Sequence, residues 1–231
     1  MSETKKVNSC TIFKQDCDCF NVLTKEQMQI VEDNQVIVEY EKDEIFARQG
    51  AFASHIIVIE EGLAKVTYED GHNNLVLRIS TPGSFIGLSS ISDQNRLFGY
   101  TAKAYIKTKV KLIDIGIFIS LIKENGLFGL ELLRVMSEIS HQKNARFFGL
   151  MHRQSYGKLA DLLLCMSVNI FKEKAFILPL TRKQIGELAG MSTESVIRTF
   201  KNFQEDKLIS IEGKKITILD MEGLVKVFET G

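Results

Sequence analysis

Thr193, Glu194, Ile197, Arg198 and Lys201 fall at spacings that place them together on one outward face of a helix. Their groups suit the edges and backbone of a duplex. A guanidinium at Arg198 offers two parallel donors that match the O6/N7 edge of guanine, and a carboxylate at Glu194 can accept from a cytosine amine. Thr181, Arg182, Ser192, Thr199 and Lys201 are the types that hold phosphate oxygens, assisted by helix N-terminal amides. Lys214 and Lys215 sit near the tip of a short hairpin, where they would follow a phosphate backbone. No comparable set exists for catalysis. There is no nucleophile–base arrangement and no phosphate-cradling glycine loop, and His55, His72, His141 and His152 are too scattered for metal ligation.

Two helices crossing at a tight turn would position this face. Thr181 with Gln184 three residues on is a capping box that opens the first helix. Ile185, Leu188 and Ala189 form its inner side, and Gly186 is small where a second helix must cross closely. Gly190 then suits the left-handed position that ends a helix. Ser192 opens the next helix with Ser195 three on, and Val196, Phe200 and Phe203 supply its buried stripe. This is the pattern of a helix-turn-helix, with Leu208–Ile211 and Lys215–Leu219 as the strands of a wing around Glu212-Gly213-Lys214.

The remainder of the 231 residues supplies little global charge to help. Lys plus Arg and Asp plus Glu are 29 each, and residues 153–231 hold 12 basic against 10 acidic residues, so a basic surface must be local. With 45% hydrophobic and 25% charged residues the composition is globular, and no run approaches the roughly 20 apolar residues of a membrane span. No secretory signal is legible and the cysteines form no spaced disulfide framework, so the expected compartment is the cytoplasm.

From Val36 to Ile115 short β-rich runs follow one another: Val36–Tyr40, Ile56–Glu60, Ala64–Tyr68, Leu75–Ile79, Tyr100–Ile106 and Lys109–Asp114. Turn residues separate them, which predicts an antiparallel barrel or jelly roll. Thr24 and Gln27 cap a short helix before it. The period becomes helical from Phe118, and Leu127 to Met151 reads as one helix of about 25 residues, near 37 Å long. Its apolar residues Leu132, Leu133, Met136, Ile139, Phe147 and Leu150, interrupted by Lys143 and Arg146, exceed what a small barrel covers, which predicts a homodimer. Ser155 can cap the helix that follows, Tyr156 to Val168. The fold class is α+β, in three parts: residues 1–124 as an effector-sensing β-barrel, 125–153 as dimerisation helix and hinge, and 154–231 as a winged helix-turn-helix.

On the Thr181-to-Arg198 segment, the wing Leu208-Ile209-Ser210-Ile211-Glu212-Gly213-Lys214, Glu61-Gly62 and Pro82-Gly83-Ser84-Phe85-Ile86-Gly87, the chain resembles the Crp/Fnr family of bacterial transcription regulators. The resemblance implies a cyclic-nucleotide-binding-like barrel, a long dimerisation helix and a winged helix-turn-helix. It implies that Glu194 and Arg198 read a half-site in double-stranded, roughly palindromic DNA, with RNA polymerase as a further partner of an activator. The family's cyclic-nucleotide binders place a Glu after the Phe-Ile-Gly segment and an Arg-Ser or Arg-Thr pair on the phosphate. Here those places hold Leu88 and Tyr100-Thr101, so cyclic AMP is disfavoured, and Arg96 sits four residues early. Leu88, Ser89, Ser90, Tyr100 and Thr101 are left to line a pocket for another effector.

Cys10, Cys17 and Cys19 invite an iron–sulfur reading, but their gaps are narrower than in the oxygen-sensing relatives. The fourth cysteine, Cys165, has apolar neighbours and reads as a small core residue. Haem through a histidine is an alternative that no residue requires. The cofactor stays open. The competing functions are a haem or iron–sulfur redox sensor whose DNA binding is secondary, a metalloenzyme on the barrel, and a nucleotide-gated subunit that does not bind DNA. The last would leave Glu194 and Arg198 without a role.

Overall fold

The computed structural model describes residues 10, 19–71, 73–92 and 94–231. The chain divides into two compact units, one over Lys14–His141 and the other comprising Gln142–Gly231 with Cys10.

Among the described residues, eight strands build the first unit: β1 (Gln35–Tyr40), β2 (Ile45–Ala47), β3 (His55–Glu61), β4 (Ala64–Asp70), β5 (Asn73–Ser80), β6 (Phe85–Ile86), β7 (Thr101–Ala104) and β8 (Thr108–Asp114). They form two four-stranded antiparallel sheets, ordered β1-β8-β3-β6 and β2-β7-β4-β5. The six expected strands are present within a few residues of their expected ends. β2 and β6, of three and two residues, were too short to show a period. β4 and β5 close a hairpin at Asp70↔Asn73 through Gly71, whose φ of 58° fits the glycine; His72 lies outside the described residues.

β3 explains how the core is divided. Its run Ile56–Ile59 is buried throughout because both faces are covered. Ile57 and Ile59 face the barrel interior with Val66, Ile86, Ala102 and Val110. Ile56 and Val58 face the helices and join Ile113, Phe118, Leu121, Phe128 and Leu132. Each such aliphatic or aromatic side chain contributes roughly 1.5–3 kcal/mol by leaving water.

The helices of this unit start where side chains satisfy free amides. Thr24 and Gln27 form the expected box at α1 (Lys25–Asp33). Asp114 accepts from the amides of Gly116 (2.8 Å) and Ile117 (3.0 Å), so α2 (Ile115–Glu124) begins three residues before the helical period is legible. The Asn125 side chain accepts from Leu127 and Phe128 amides at the start of α3 (Gly126–His152), and donates to the Val22 carbonyl and Gln27 Oε1. The expected single apolar stripe of α3 splits in two. Phe128, Leu132 and Val135 enter the core, whereas Leu127, Leu130, Leu133 and Met136 face outward.

The second unit opens with α4 (Ser155–Cys165), which continues as a π turn over Met166–Ile170. Ser155 is not its cap. Gln154, in extended conformation, holds that position without a side-chain bond, and Ser155 is already helical. Arg153 instead pairs with Asp161 at 3.1 Å and stacks on Phe228 at 4.0 Å. Next come β9 (Ala175–Ile177), α5 (Arg182–Ala189), α6 (Thr193–Glu205), β10 (Ile209–Glu212), β11 (Lys215–Ile218) and α7 (Met221–Thr230). The wing is a three-stranded sheet, β10-β11-β9, where only two strands were expected. Cys165 is buried as expected, but it forms a disulfide with Cys10, 155 residues away. That corrects the reading of the cysteines as forming no disulfide framework. The pairing depends on tertiary placement at the end of α4, to which sequence spacing is blind. Among the described residues no helix is long and apolar enough to cross a membrane.

Candidate nucleic-acid interface

α5 and α6 meet as the residues between them require. Thr181 and Gln184 exchange backbone–side-chain hydrogen bonds at 2.9 and 3.2 Å, completing the box at the start of α5. Gly190 ends the helix at φ 61°. The Met191 amide donates to the Gly186 carbonyl at 2.9 Å, and a Cβ on Gly186 would lie 2.6 Å from the Met191 carbonyl oxygen. Only glycine lets the turn fold back this closely. Ser192 then accepts from the Ser195 amide at 3.1 Å and opens α6.

The inner faces of both helices are dry. Ile185, Leu188 and Ala189 of α5 are buried, as are Val196, Phe200 and Phe203 of α6, with Tyr156 of α4 edge-on to Phe203. Arg146, near the end of α3, is also buried and donates to the Leu188 carbonyl. A guanidinium there satisfies a free carbonyl and the negative end of the α5 dipole. Its place in the sequence, interrupting an apolar stripe, gave no sign of that contact.

Glu194, Ile197, Arg198 and Lys201 remain on the outer face of α6, with Ile197 54% exposed. The Glu194 carboxyl is held below the ordinary carboxylate range by a backbone hydrogen bond at its own residue and then by the Ser192 side chain. Lys201 lies 3.6 Å from Glu205, an exposed pair of little energetic weight. Arg182 lies over the Phe200 ring at 4.1 Å, and partial burial pulls its pKa down from the ordinary guanidinium value. The stacked geometry leaves it at the start of α5, beside exposed Thr181. Ser192 is exposed, Thr193 half-buried, and Lys214 exposed beside Gly213 at the wing tip.

Thr199 departs from expectation. It is 1% exposed, because one turn from Val196 and Phe203 it falls on the packed face of α6. It has no surface to offer a phosphate.

The residues expected to line an effector pocket lie along one stretch but on two faces. Leu88, Ser89 and Ser90 form a short 3-10 turn after Gly87. Leu88 and Ser89 border an apolar cavity of about 760 Å³ beside α2 and α3, and Leu88 is itself buried. Ser90 is buried and donates to the Leu97 carbonyl at 2.9 Å. Tyr100 packs instead against the barrel interior, its hydroxyl accepting from the Gly87 amide at 2.8 Å. Thr101, also buried, accepts from the Gln49 amide at 3.2 Å. Sequence reasoning missed Arg78 of β5, whose guanidinium lies in the same interior. Among the described residues no group of three or more His, Cys, Asp or Glu could hold a metal ion. Of the three N-terminal cysteines, Cys17 lies outside the described residues and Cys10 is joined to Cys165.

Comparison with known proteins agrees with this arrangement. A model of the cyclic nucleotide-binding domain matches residues 37–125, and one of the Crp-like helix-turn-helix domain matches residues 157–227. The transcriptional activator protein FnrA of Stutzerimonas stutzeri is 26% identical over 194 residues, covering 79% of this chain and 76% of FnrA. The anaerobic regulatory protein of Haemophilus influenzae is 26% identical over 242 residues, covering 98% of this chain and 92% of that protein. The solved structure of FixK2 from Bradyrhizobium japonicum shares the fold with a TM-score of 0.77 at 17% identity, covering 84% of this chain and 96% of FixK2. With a cyclic nucleotide-binding domain followed by a Crp-like helix-turn-helix, the chain belongs to the Crp/Fnr family of DNA-binding transcription regulators.

Proposed function

We propose that the protein acts as a cytoplasmic homodimer that reads a roughly palindromic operator, and that its barrel senses an effector other than cyclic AMP. Residues 1–124 would form the sensing part, 125–153 the dimerisation helix and hinge, and 154–231 the DNA-binding part. The observation that carries the reading is the pair Glu194 and Arg198, four residues apart and exposed on a helix whose opposite face is buried. A helix of that kind can enter the major groove, with Arg198 on guanine and Glu194 on the cytosine amine of a neighbouring pair. Thr181, Arg182, Ser192, Thr193, Lys201 and Lys214 supply the surrounding backbone contacts, and Ile197 an apolar contact to a base. Thr199 is left out because it is buried.

The outward residues Leu127, Leu130, Leu133 and Met136 of α3 favour a second copy as the partner. They make an unbroken apolar edge of the kind that helix pairing removes from water. Two copies would present two recognition helices to half-sites about 34–36 Å apart. If it is an activator, as the relative FnrA is by name, it would also touch RNA polymerase.

Leu88 and Tyr100 stand where the family's nucleotide binders carry a carboxylate and a guanidinium, which disfavours cyclic AMP. The test of the reading is Arg198→Ala, titrated against a duplex that the wild-type protein selects from a random pool. It should lose about 1–3 kcal/mol of discrimination at one base pair of each half-site. Unchanged sequence preference would remove Arg198 from the readout.

A further inference from the structure

Arg78 is 8% exposed and lies inside the barrel. Its strand position places it there. Val66 of β4 pairs with Arg78 on one side and with Ala102 of β7 on the other, so the three share a face. Val66 and Ala102 both belong to the interior core. From β5 the guanidinium crosses to the opposite sheet, where its Nη2 donates to the Phe85 carbonyl of β6 at 2.8 Å. Its Nη1 is buried without a hydrogen-bond partner, and among the described residues no carboxylate forms an ion pair with it.

A buried cation with only neutral partners is costly, and such groups are ordinarily paired. The neutral partners here are arranged as an anion's would be. The Tyr100 hydroxyl accepts from the Gly87 amide at 2.8 Å, and interaction with Tyr100 offsets part of the burial that pulls the Arg78 pKa down. One phenol thus answers both a backbone donor and the buried cation.

We propose that the barrel binds a compact oxyanion, a carboxylate or a phosphate, on the Arg78 guanidinium and the Gly87 amide, in the place the Tyr100 hydroxyl takes in this structure. The proposal rests on the reading of the barrel as a sensing domain and names the class of its effector. Two donors on one oxyanion, one of them charged, match the geometry of carboxylate and phosphate recognition. Withdrawal of the phenol opens the site and leaves space on the scale of its ring, which favours a small anion over a nucleotide. The Tyr100 segment is the part that must move. It joins the turn at Gly87 to β7, so ligand exchange would alter the strand that pairs with β4 and β2.

The experiment uses the full-length chain in chloride-matched buffer, with inorganic phosphate, succinate and cyclic AMP as probes. Thermal shift and titration calorimetry are the readouts. Phosphate or succinate should raise the melting temperature of the wild type. Arg78→Gln should bind the same probe about 10- to 100-fold more weakly, the loss expected for a charged hydrogen bond. Tyr100→Ala keeps the cation and removes the competitor, so it should bind about tenfold more tightly. This variant keeps the proposal testable if Arg78→Gln fails to fold. A response to cyclic AMP alone overturns it, as does equal binding by the wild type and Arg78→Gln, or no response to either anion in the wild type and Tyr100→Ala. Those failures would leave the Arg198→Ala test of DNA reading untouched.

Discussion

Replacing Gly186 with alanine tests how the two helices of the DNA-binding unit are held. The added Cβ would lie 2.6 Å from the Met191 carbonyl oxygen, well inside the 3.4 Å at which ordinary contact begins. The obstacle is backbone. It is also pinned, because the Met191 amide donates to the Gly186 carbonyl itself. Overpacking costs about 1–3 kcal/mol, and a rigid neighbour puts this site at the upper end. Alanine's better helix propensity returns about 1 kcal/mol. The net is about 2 kcal/mol, and at about 4–8 °C per kcal/mol for a unit of this size its melting transition should fall by about 8–16 °C. The turn that must yield is the one that aims α6, so DNA affinity should fall even though no outward side chain has changed. Gly213→Ala is the control: unlike the helical Gly186 it is left-handed, at φ 62°, but its Cβ meets nothing within 4 Å, so it should cost only the left-handed strain of about 1–2 kcal/mol. Circular dichroism melts and fluorescence anisotropy with a selected duplex measure both effects. A Gly186→Ala protein that melts and binds like the wild type would refute the close-approach reasoning.

Two further outcomes follow from the outward faces. The Glu194 pKa is depressed in the folded chain, so any stability it contributes is present above its unfolded value, near 4.5, and is lost as the pH falls through the lower folded value. Readout that needs its ionised carboxylate should therefore be flat from pH 8 to 5 in competition titrations, and a decline already between pH 8 and 6 would count against Glu194 as a base reader. On α3, Leu130→Glu with Leu133→Glu replaces two side chains that a second copy would bury, each worth about 1.5–3 kcal/mol. The dimer dissociation constant should rise by about two to four orders of magnitude, measured by sedimentation. An unchanged constant would place the dimer contact elsewhere.

What was legible in the sequence was whatever local chemistry decides. The caps at Thr24, Thr181 and Ser192 and the left-handed Gly190 all lie where their residue types put them, because each bond is made within a few residues. The β runs were legible by their β-rich composition and the turn residues between them, but β2, β6 and β9 are only two or three residues long and are held by their partners rather than by a period. Thr199 was misread for a related reason. Its hydroxyl suggested a phosphate contact, yet threonine also packs well on a buried face, and residue type alone does not say which side it takes.

Side chains that act across the fold were the ones hidden. Arg146 read as a break in an apolar stripe until the Leu188 carbonyl came within its reach. Cys10 and Cys165 belong to segments 155 residues apart, and their juxtaposition leaves no trace in spacing. Arg78 is the sharpest case, because along the chain the arginine nearest Tyr100 is Arg96, four residues away. The cation that reaches Tyr100 comes from β5, across the barrel, through register with Val66 and Ala102. The absence of an arginine beside Thr101 therefore argues against one particular ligand geometry, and not against an anionic ligand. A barrel whose buried guanidinium comes from β5, and not from beside Thr101, directs its charge from another side, and under the proposal that direction sets the shape of the anion it would accept.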